Sequence, residues 1–183
     1  MSKGKIFIIS GPSGCGKDTL MSELFKKCPE IKFSISSITR PMRVGEVEGE
    51  KYNFISREKF EEMLKNDMFL EYNEFVGNYY GTPKQPVLDA AANGDNVLIE
   101  VDVNGADQIR AKLPEAITIF IMPPSVEILR ERLSKRGTET EEVIQKRMDT
   151  AILEMARRDE YNYTVVNDDL DTAVNEIISI INK

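Results

Sequence analysis

The sequence predicts an α/β fold, with a parallel sheet covered by helices on both faces and interrupted by a small mixed α+β insert. Three observations carry this expectation. Short β-favouring apolar runs alternate with longer segments of helical period. The first of these runs leads into a glycine-rich stretch, Gly11–Lys17, that opens onto a helix pattern. Residues 33–82 then break the alternation with Gly, Pro, Ser and Thr punctuation. At 183 residues the chain can form one compact domain with a sizeable core and such an insert.

Taken in order, Ile6-Phe-Ile-Ile-Ser10 reads as a buried strand. The helix that follows places Leu20, Leu24 and Phe25 on one face and ends near Cys28-Pro29, because proline cannot continue it. Inside the insert, alternating runs at Tyr52–Ile55 and Phe69–Val76 flank one helix, Arg57–Asn66. Beyond it come a helix over Gln85–Asn93 closed by Gly94, a strand over Val97–Val101 and a helix over Gly105–Leu113. A strand over Ile117–Ile121 and a helix over Ser125–Lys135 follow, then a long helix over Glu141–Asp159. A strand over Tyr163–Val166 and a helix over Leu170–Asn182 complete the set.

Composition excludes several function classes. The net charge of −7 provides no basic field for a nucleic-acid partner. Histidine is absent, which removes histidine triads, histidine-ligated metals and histidine pH switches. Two cysteines, Cys15 and Cys28, are too few for a zinc set or a disulfide scaffold. The longest apolar runs fall far short of a membrane span, and Met1–Lys5 lacks signal-peptide architecture. The expected location is therefore the cytoplasm, with no membrane partner.

Gly11-Pro-Ser-Gly-Cys-Gly-Lys17 fits G-x-x-x-x-G-K between a strand and a helix, where that motif must sit. Glycines at 11, 14 and 16 let successive backbone N–H groups turn inward around a phosphate, and the helix directs its positive end at the same anion. Lys17 adds a full charge at the transferring phosphate. The motif departs from its pattern at Asp18, which stands where Ser or Thr would ligate Mg²⁺. A carboxylate is a competent Mg²⁺ ligand, and Asp also suits the first turn of a helix, so both roles stay open. Thr19 lies about 100° further around the helix and cannot simply replace the missing hydroxyl. Cys15, within the loop, fits either a space-filling thiol or a redox group.

Five segments resemble guanylate kinase, in chain order. They are Gly11–Thr19, Ser36-Ser-Ile-Thr-Arg-Pro-Met-Arg-Val-Gly-Glu46, Gly77-Asn-Tyr-Tyr-Gly-Thr82, Arg136-Gly-Thr-Glu-Thr140 and Val166-Asn-Asp-Asp-Leu170. The resemblance spans about Lys5 to Ile181. It implies phosphoryl transfer from ATP to GMP, giving ADP and GDP, with Mg²⁺. The implied fold is a P-loop kinase core with a parallel five-stranded sheet flanked by helices, plus a GMP-binding insert and a helical lid. On that basis the core covers about 1–32, 83–125 and 160–183, the insert about 33–82 and the lid about 126–159. Carried over by position, Ser36, Arg40, Arg43, Tyr52, Glu71, Tyr80 and Thr82 would hold GMP. Arg132, Arg136 and Arg147 would surround the phosphates, and Asn167 would lie beside the adenine, with Gly11, Pro12, Ser13, Gly14, Cys15, Gly16, Lys17, Asp18 and Thr19 forming the ATP loop.

The residues support this reading on chemical grounds. Arg40 and Arg43, three apart around Pro41, can converge on one phosphate, and the hydroxyls of Tyr52 and Tyr80 can donate to the same dianion. Glu71 can accept from both N1–H and the 2-amino group of guanine, whereas adenine presents a lone pair at N1. Ser36 and Thr82 can add base contacts. Glu100 and Asp102, at i and i+2, fall on one side of the expected strand, where either can hold Mg²⁺ or its waters, and Asp102 can alternatively contact the acceptor nucleotide.

Arg130-Glu-Arg-Leu-Ser-Lys-Arg136 carries four positive charges against one negative, with Arg132 and Arg136 on one helical face. Arg147 arrives from the next helix. Phosphoryl transfer needs positioning and charge neutralisation rather than covalent chemistry, so the lack of histidine is no obstacle. Retention of Lys17 and the lid arginines argues against a non-catalytic peptide-binding relative. The Ser36–Glu46 stretch, Glu71 and the Tyr79-Tyr-Gly-Thr82 run argue against a different phosphorylated acceptor.

Overall fold

The computed structural model describes residues 3–135, 137 and 139–183. Among them the elements run β1 (Ile6–Ser10), α1 (Lys17–Lys27), β2 (Lys32–Phe33), β3 (Ser36–Ile38), β4 (Tyr52–Phe54), α2 (Arg57–Lys65), β5 (Phe69–Phe75) and β6 (Asn78–Pro83). Then come α3 (Lys84–Ala92), β7 (Val97–Glu100), α4 (Val103–Lys112), β8 (Ile117–Met122), α5 (Val126–Ser134), α6 (Glu141–Met155), β9 (Tyr163–Val166) and α7 (Leu170–Ile181).

One sheet is all parallel, in the order β2-β7-β1-β8-β9. Every residue of β1 is buried, and its side chains alternate between two cores as the strand period requires. Ile6 and Ile8 join Ile99 and Phe120 on one face, and Phe7 and Ile9 join Leu98 and Ile119 on the other. The first core is closed by side chains from α3 to α6, such as Val87, Ile109, Leu129 and Met148. The second is closed by α1 and α7, through Leu20, Leu24, Val174 and Ile177. Each such side chain contributes roughly 1.5–3 kcal/mol relative to exposure, which fixes the strand ends that carry the site.

A second, mixed sheet has the order β4-β3-β6-β5 and takes its strands from residues 36–83. β3 and β4 run parallel, while β6 pairs antiparallel with β3 and β5. Phe60 of α2 stacks between Phe69 at 4.3 Å and Tyr79 at 5.0 Å. Gly81 makes that stack fit, since a Cβ there would come within 2.9 Å of both Phe60 and Phe69. The β5–β6 hairpin turns through Val76 and Gly77 at φ of 50° and 73°. Two positive φ values match the strand twist but strain the β-branched Val76.

The structure differs from expectation at the short and capped elements. The fifth parallel strand, β2, is two residues long and has no periodicity to detect. β3 and β6 lie in polar, turn-like sequence. α4 starts at Val103 rather than Gly105, because the Asp102 side chain accepts from Gly105 N at 2.7 Å and caps the helix. α6 stops at Met155, and a 3₁₀ turn over Arg158–Glu160 follows, held by Arg157 donating to the Glu160 carboxylate. No described helix is long and apolar enough to cross a membrane.

Candidate functional site

The site forms at the carboxyl ends of β1 and β7, where a parallel sheet exposes helix N-termini and loop backbone. Gly14 and Gly16 adopt φ of 86° and 91°, a region that L side chains rarely enter. A Cβ on Gly16 would lie 2.5 Å from Asn167 Nδ2, and one on Gly14 would lie 2.8 Å from Leu133 Cδ2. Torsion therefore favours glycine at both positions, and a Cβ would in addition push the ends of these two side chains aside. Lys17 Nζ folds back over its own loop, donating to the carbonyls of Gly11 at 2.6 Å and Pro12 at 3.3 Å.

In front of the loop lies a cavity of about 710 Å³. Gly11, Ser13, Lys17 and Asp18 line its loop side, Glu100 and Asp102 its floor, and Ser36 and Tyr52 its far wall. An adjoining recess shares Ser36, Tyr52, Glu100 and Asp102 and adds Glu71 and Tyr80. On the outer side of the loop, Gly14, Gly16, Thr19, Arg132 and Asn167 bound a separate cavity of about 340 Å³. Asp18 and Thr19 thus face different cavities, as one step around a helix dictates.

Glu71 is buried and accepts from Thr82 Oγ1 at 2.6 Å. Burial pushes its carboxyl above the ordinary range, the Thr82 bond opposes this, and the charge of Asp102 adds to it. A Cβ on Gly105 would stand 3.2 Å from Glu71 Oε2, so the glycine leaves room for the carboxylate. Glu100 is also raised by burial, against the attraction of Lys17. The strand ends at Glu100, short of the Asp102 expected from sequence, with Val101 N still donating to Ile9 O. Asp102 caps α4, and both acids line the same cavity, as their expected placement on one side requires.

Arg40 and Arg43 do not converge through their side chains. Arg40 Nη1 and Nη2 donate to Glu46 Oε2 and Oε1 at 2.7 and 2.6 Å, while its guanidinium lies over the rings of Tyr52 and Phe54. Arg43 is exposed, and only its backbone N–H joins the cluster, donating to Glu46 Oε2 at 2.7 Å. The tight turn that brings Glu46 back beneath Arg43, with Glu46 N donating to Arg43 O, is the reason.

Arg132 of α5 reaches the loop from the other side. Its Nη1 and Nη2 donate to the carbonyls of Cys15 at 3.3 Å and Asn167 at 3.1 Å, and Asn167 Nδ2 also donates to Cys15 O. Arg147 of α6 donates to Ser13 Oγ at 2.5 Å and pairs with Glu139 at 2.6 Å. Arg136 lies outside the described residues. Cys15 is fully buried, and burial raises its thiol, which suits a space-filling role. Pro12 is buried beneath the loop.

Sequence reasoning missed Glu154, which lines the main cavity from α6. It stands seven residues, two helical turns, from Arg147, and that spacing was the available signal. Burial raises its carboxyl, with Lys17 opposing. It also left Glu46 without a role.

The model of the guanylate kinase family matches residues 3–183. The chain is 50% identical over 181 residues to the guanylate kinase of Carboxydothermus hydrogenoformans, covering 99% of this chain and 89% of that protein. It is 47% identical over 178 residues to the guanylate kinase of Desulfitobacterium hafniense, covering 97% and 89% respectively. The crystal structure of guanylate kinase from Anaplasma phagocytophilum resembles it with a TM-score of 0.78 at 32% identity, covering 99% of this chain and 86% of that one.

Proposed function

The chain belongs to the guanylate kinase family and phosphorylates GMP to GDP with ATP as co-substrate, and from this premise we propose how its residues share that reaction. The acceptor lies in the recess beside Glu71 and the donor phosphates lie in the loop 11–17. The observation that carries this division is a buried carboxylate, Glu71, in a recess continuous with the lysine-bearing cavity. Glu71, polarised by the Thr82 hydroxyl, accepts from guanine N1–H and the 2-amino group, with Ser36 beside it. Rejecting the wrong base leaves this carboxylate unpaired, a penalty worth roughly 10⁴ or more in selectivity.

Arg40, Tyr52 and Tyr80 hold the acceptor phosphate, with Arg43 joining them from the exposed loop. A non-bridging oxygen of that phosphate attacks the γ-phosphorus of ATP in line, and the β–γ bridging oxygen leaves with ADP. Lys17 moves from the carbonyls of Gly11 and Pro12 onto the donor phosphates. Arg132, Arg136 and Arg147 neutralise charge on the transferring group. Asn167, beside Gly16 and Thr19, borders the adenine side. Residues 33–82 act as the GMP-binding unit and 126–159 as a lid that closes to exclude water.

Asp18, Glu100 and Asp102 offer hard oxygen donors on the cavity that holds Lys17, a set that suits Mg²⁺. Among the described residues no three or more His, Cys, Asp or Glu are gathered to hold a metal ion by themselves, so the proposed ion would take one or two carboxylates and complete its shell with phosphate oxygens and water. Asp18 and Asp102 are the proposed protein contacts, and the ion would screen phosphate charge there. Action in the cytoplasm belongs to the same proposal.

The test is ADP release with ATP and Mg²⁺, run in parallel with GMP, AMP, CMP and UMP. Release dependent on GMP alone supports the assignment. Equal turnover of AMP contradicts the role given to Glu71, and ATP hydrolysis without acceptor at a rate rivalling transfer contradicts the water-excluding lid.

A further inference from the structure

Every residue from Pro41 to Lys51 is exposed except Glu46. This one carboxylate turns inward, its side chain 26% exposed, onto an arginine side chain 11% exposed. It accepts three hydrogen bonds, two from the Arg40 guanidinium and one from Arg43 N. Pro41 O takes a further Arg40 Nη1 hydrogen at 3.0 Å. Arg40 has five N–H donors. Both Nη1 hydrogens and one Nη2 hydrogen are used within the loop, which leaves Nε–H and the second Nη2 hydrogen. Those two lie parallel on one edge of the guanidinium and form a two-donor fork of the kind that grips two oxygens of a phosphate.

We propose that Glu46 is a positioning residue for the acceptor phosphate: it takes the end of the Arg40 guanidinium and thereby presents the Nε–Nη2 edge to GMP. The proposal rests on Arg40 being a phosphate-binding group. Glu46 does not touch the substrate. It acts by removing the rotational freedom of a long side chain before substrate arrives, so that less ordering remains to be done on binding. The planes of Tyr52 and Phe54, 5.6 and 5.5 Å from the guanidinium carbon, support the same orientation. The Glu46 carboxyl is held down to about 2 by the Arg40 bonds and then by the Arg43 N–H, so it is ionised wherever the enzyme works.

The opposite role would be a decoy, in which Glu46 occupies Arg40 until the phosphate displaces it. The two roles differ in sign. The experiment measures KM for GMP and ATP, kcat, and the inhibition constant of guanosine, which lacks the phosphate, for Glu46→Gln, Glu46→Ala and Arg40→Met. Positioning predicts that Glu46→Ala raises KM for GMP by about tenfold to a hundredfold, with KM for ATP and guanosine inhibition unchanged. Glu46→Gln, which keeps the shape and one acceptor oxygen, should fall between it and wild type. A KM for GMP that is unchanged or lowered in both Glu46 variants overturns the proposal. So does a parallel weakening of guanosine, which would mean that the loop as a whole has been disturbed. If Arg40→Met leaves KM for GMP unchanged, the phosphate-binding role of Arg40 fails instead.

Discussion

On the donor side, residues 11–17 offer backbone: a glycine loop with positive φ at Gly14 and Gly16, one lysine, and a helix N-terminus. On the acceptor side, the sheet of residues 36–83 offers side chains: a buried glutamate, a clamped arginine and tyrosines from separate strands. Backbone N–H groups bind phosphate alike in any nucleotide, so the donor side needs geometry and little identity. The acceptor side must tell one base from another, and only side chains with a chosen donor and acceptor pattern do that. The difference explains why the loop is marked by glycines at fixed spacing, whereas the acceptor recess depends on individual side chains.

The sharpest way to break the comparison is Lys17→Met. It should lower kcat on the order of 10³ to 10⁵ while guanosine inhibition stays at the wild-type level, as read by ADP release. Next, Arg147→Ala should reduce kcat on the order of 10² to 10³. Its contact with Ser13 Oγ places it on the donor side, so KM for GMP should move little.

The pH dependence of guanosine inhibition separates the two sides again. Glu71 must be ionised to accept two donors, and burial raises its carboxyl. Guanosine affinity should therefore fall as the pH drops through that raised value, by up to about tenfold per pH unit. The fall should begin at a higher pH than an exposed glutamate allows, with KM for ATP not following it. Smallest is Val76→Asn, at the exposed hairpin tip of the acceptor sheet. Asn accepts a positive φ more readily, so the variant should gain roughly 1 kcal/mol in thermal unfolding with kcat unchanged.

The same contrast governs what could be read from the sequence. β1, β7 and β8 are largely apolar runs buried on both faces, β9 at the sheet edge keeps a β-favouring run with only Val165 buried, and their helices carry clear periods, so the parallel core was legible. The phosphate loop was legible because its glycines have a physical cause at fixed spacing. β2 escaped because two residues carry no period, and β3 and β6 because their burial comes from α2 and neighbouring strands rather than from their own pattern. Glu46 and Glu154 escaped for a related reason: a carboxylate in a polar loop or on a charged helix looks solvated until the fold turns it inward. Glu100 and Asp102 do line one cavity, but the capping of α4 by Asp102 is a role that local alternation does not reveal.

The most direct test of the division between the two sides is the kinetic comparison of Glu71→Gln with wild type, varying GMP and ATP in turn. An amide cannot accept from two guanine donors with both atoms, so KM for GMP should rise by about a hundredfold or more, with KM for ATP unchanged. The variant should unfold at the same or a slightly higher temperature, because a buried carboxyl whose pKa is raised by burial does not stabilise the fold at neutral pH. A rise in both KM values together, or in neither, would contradict the account.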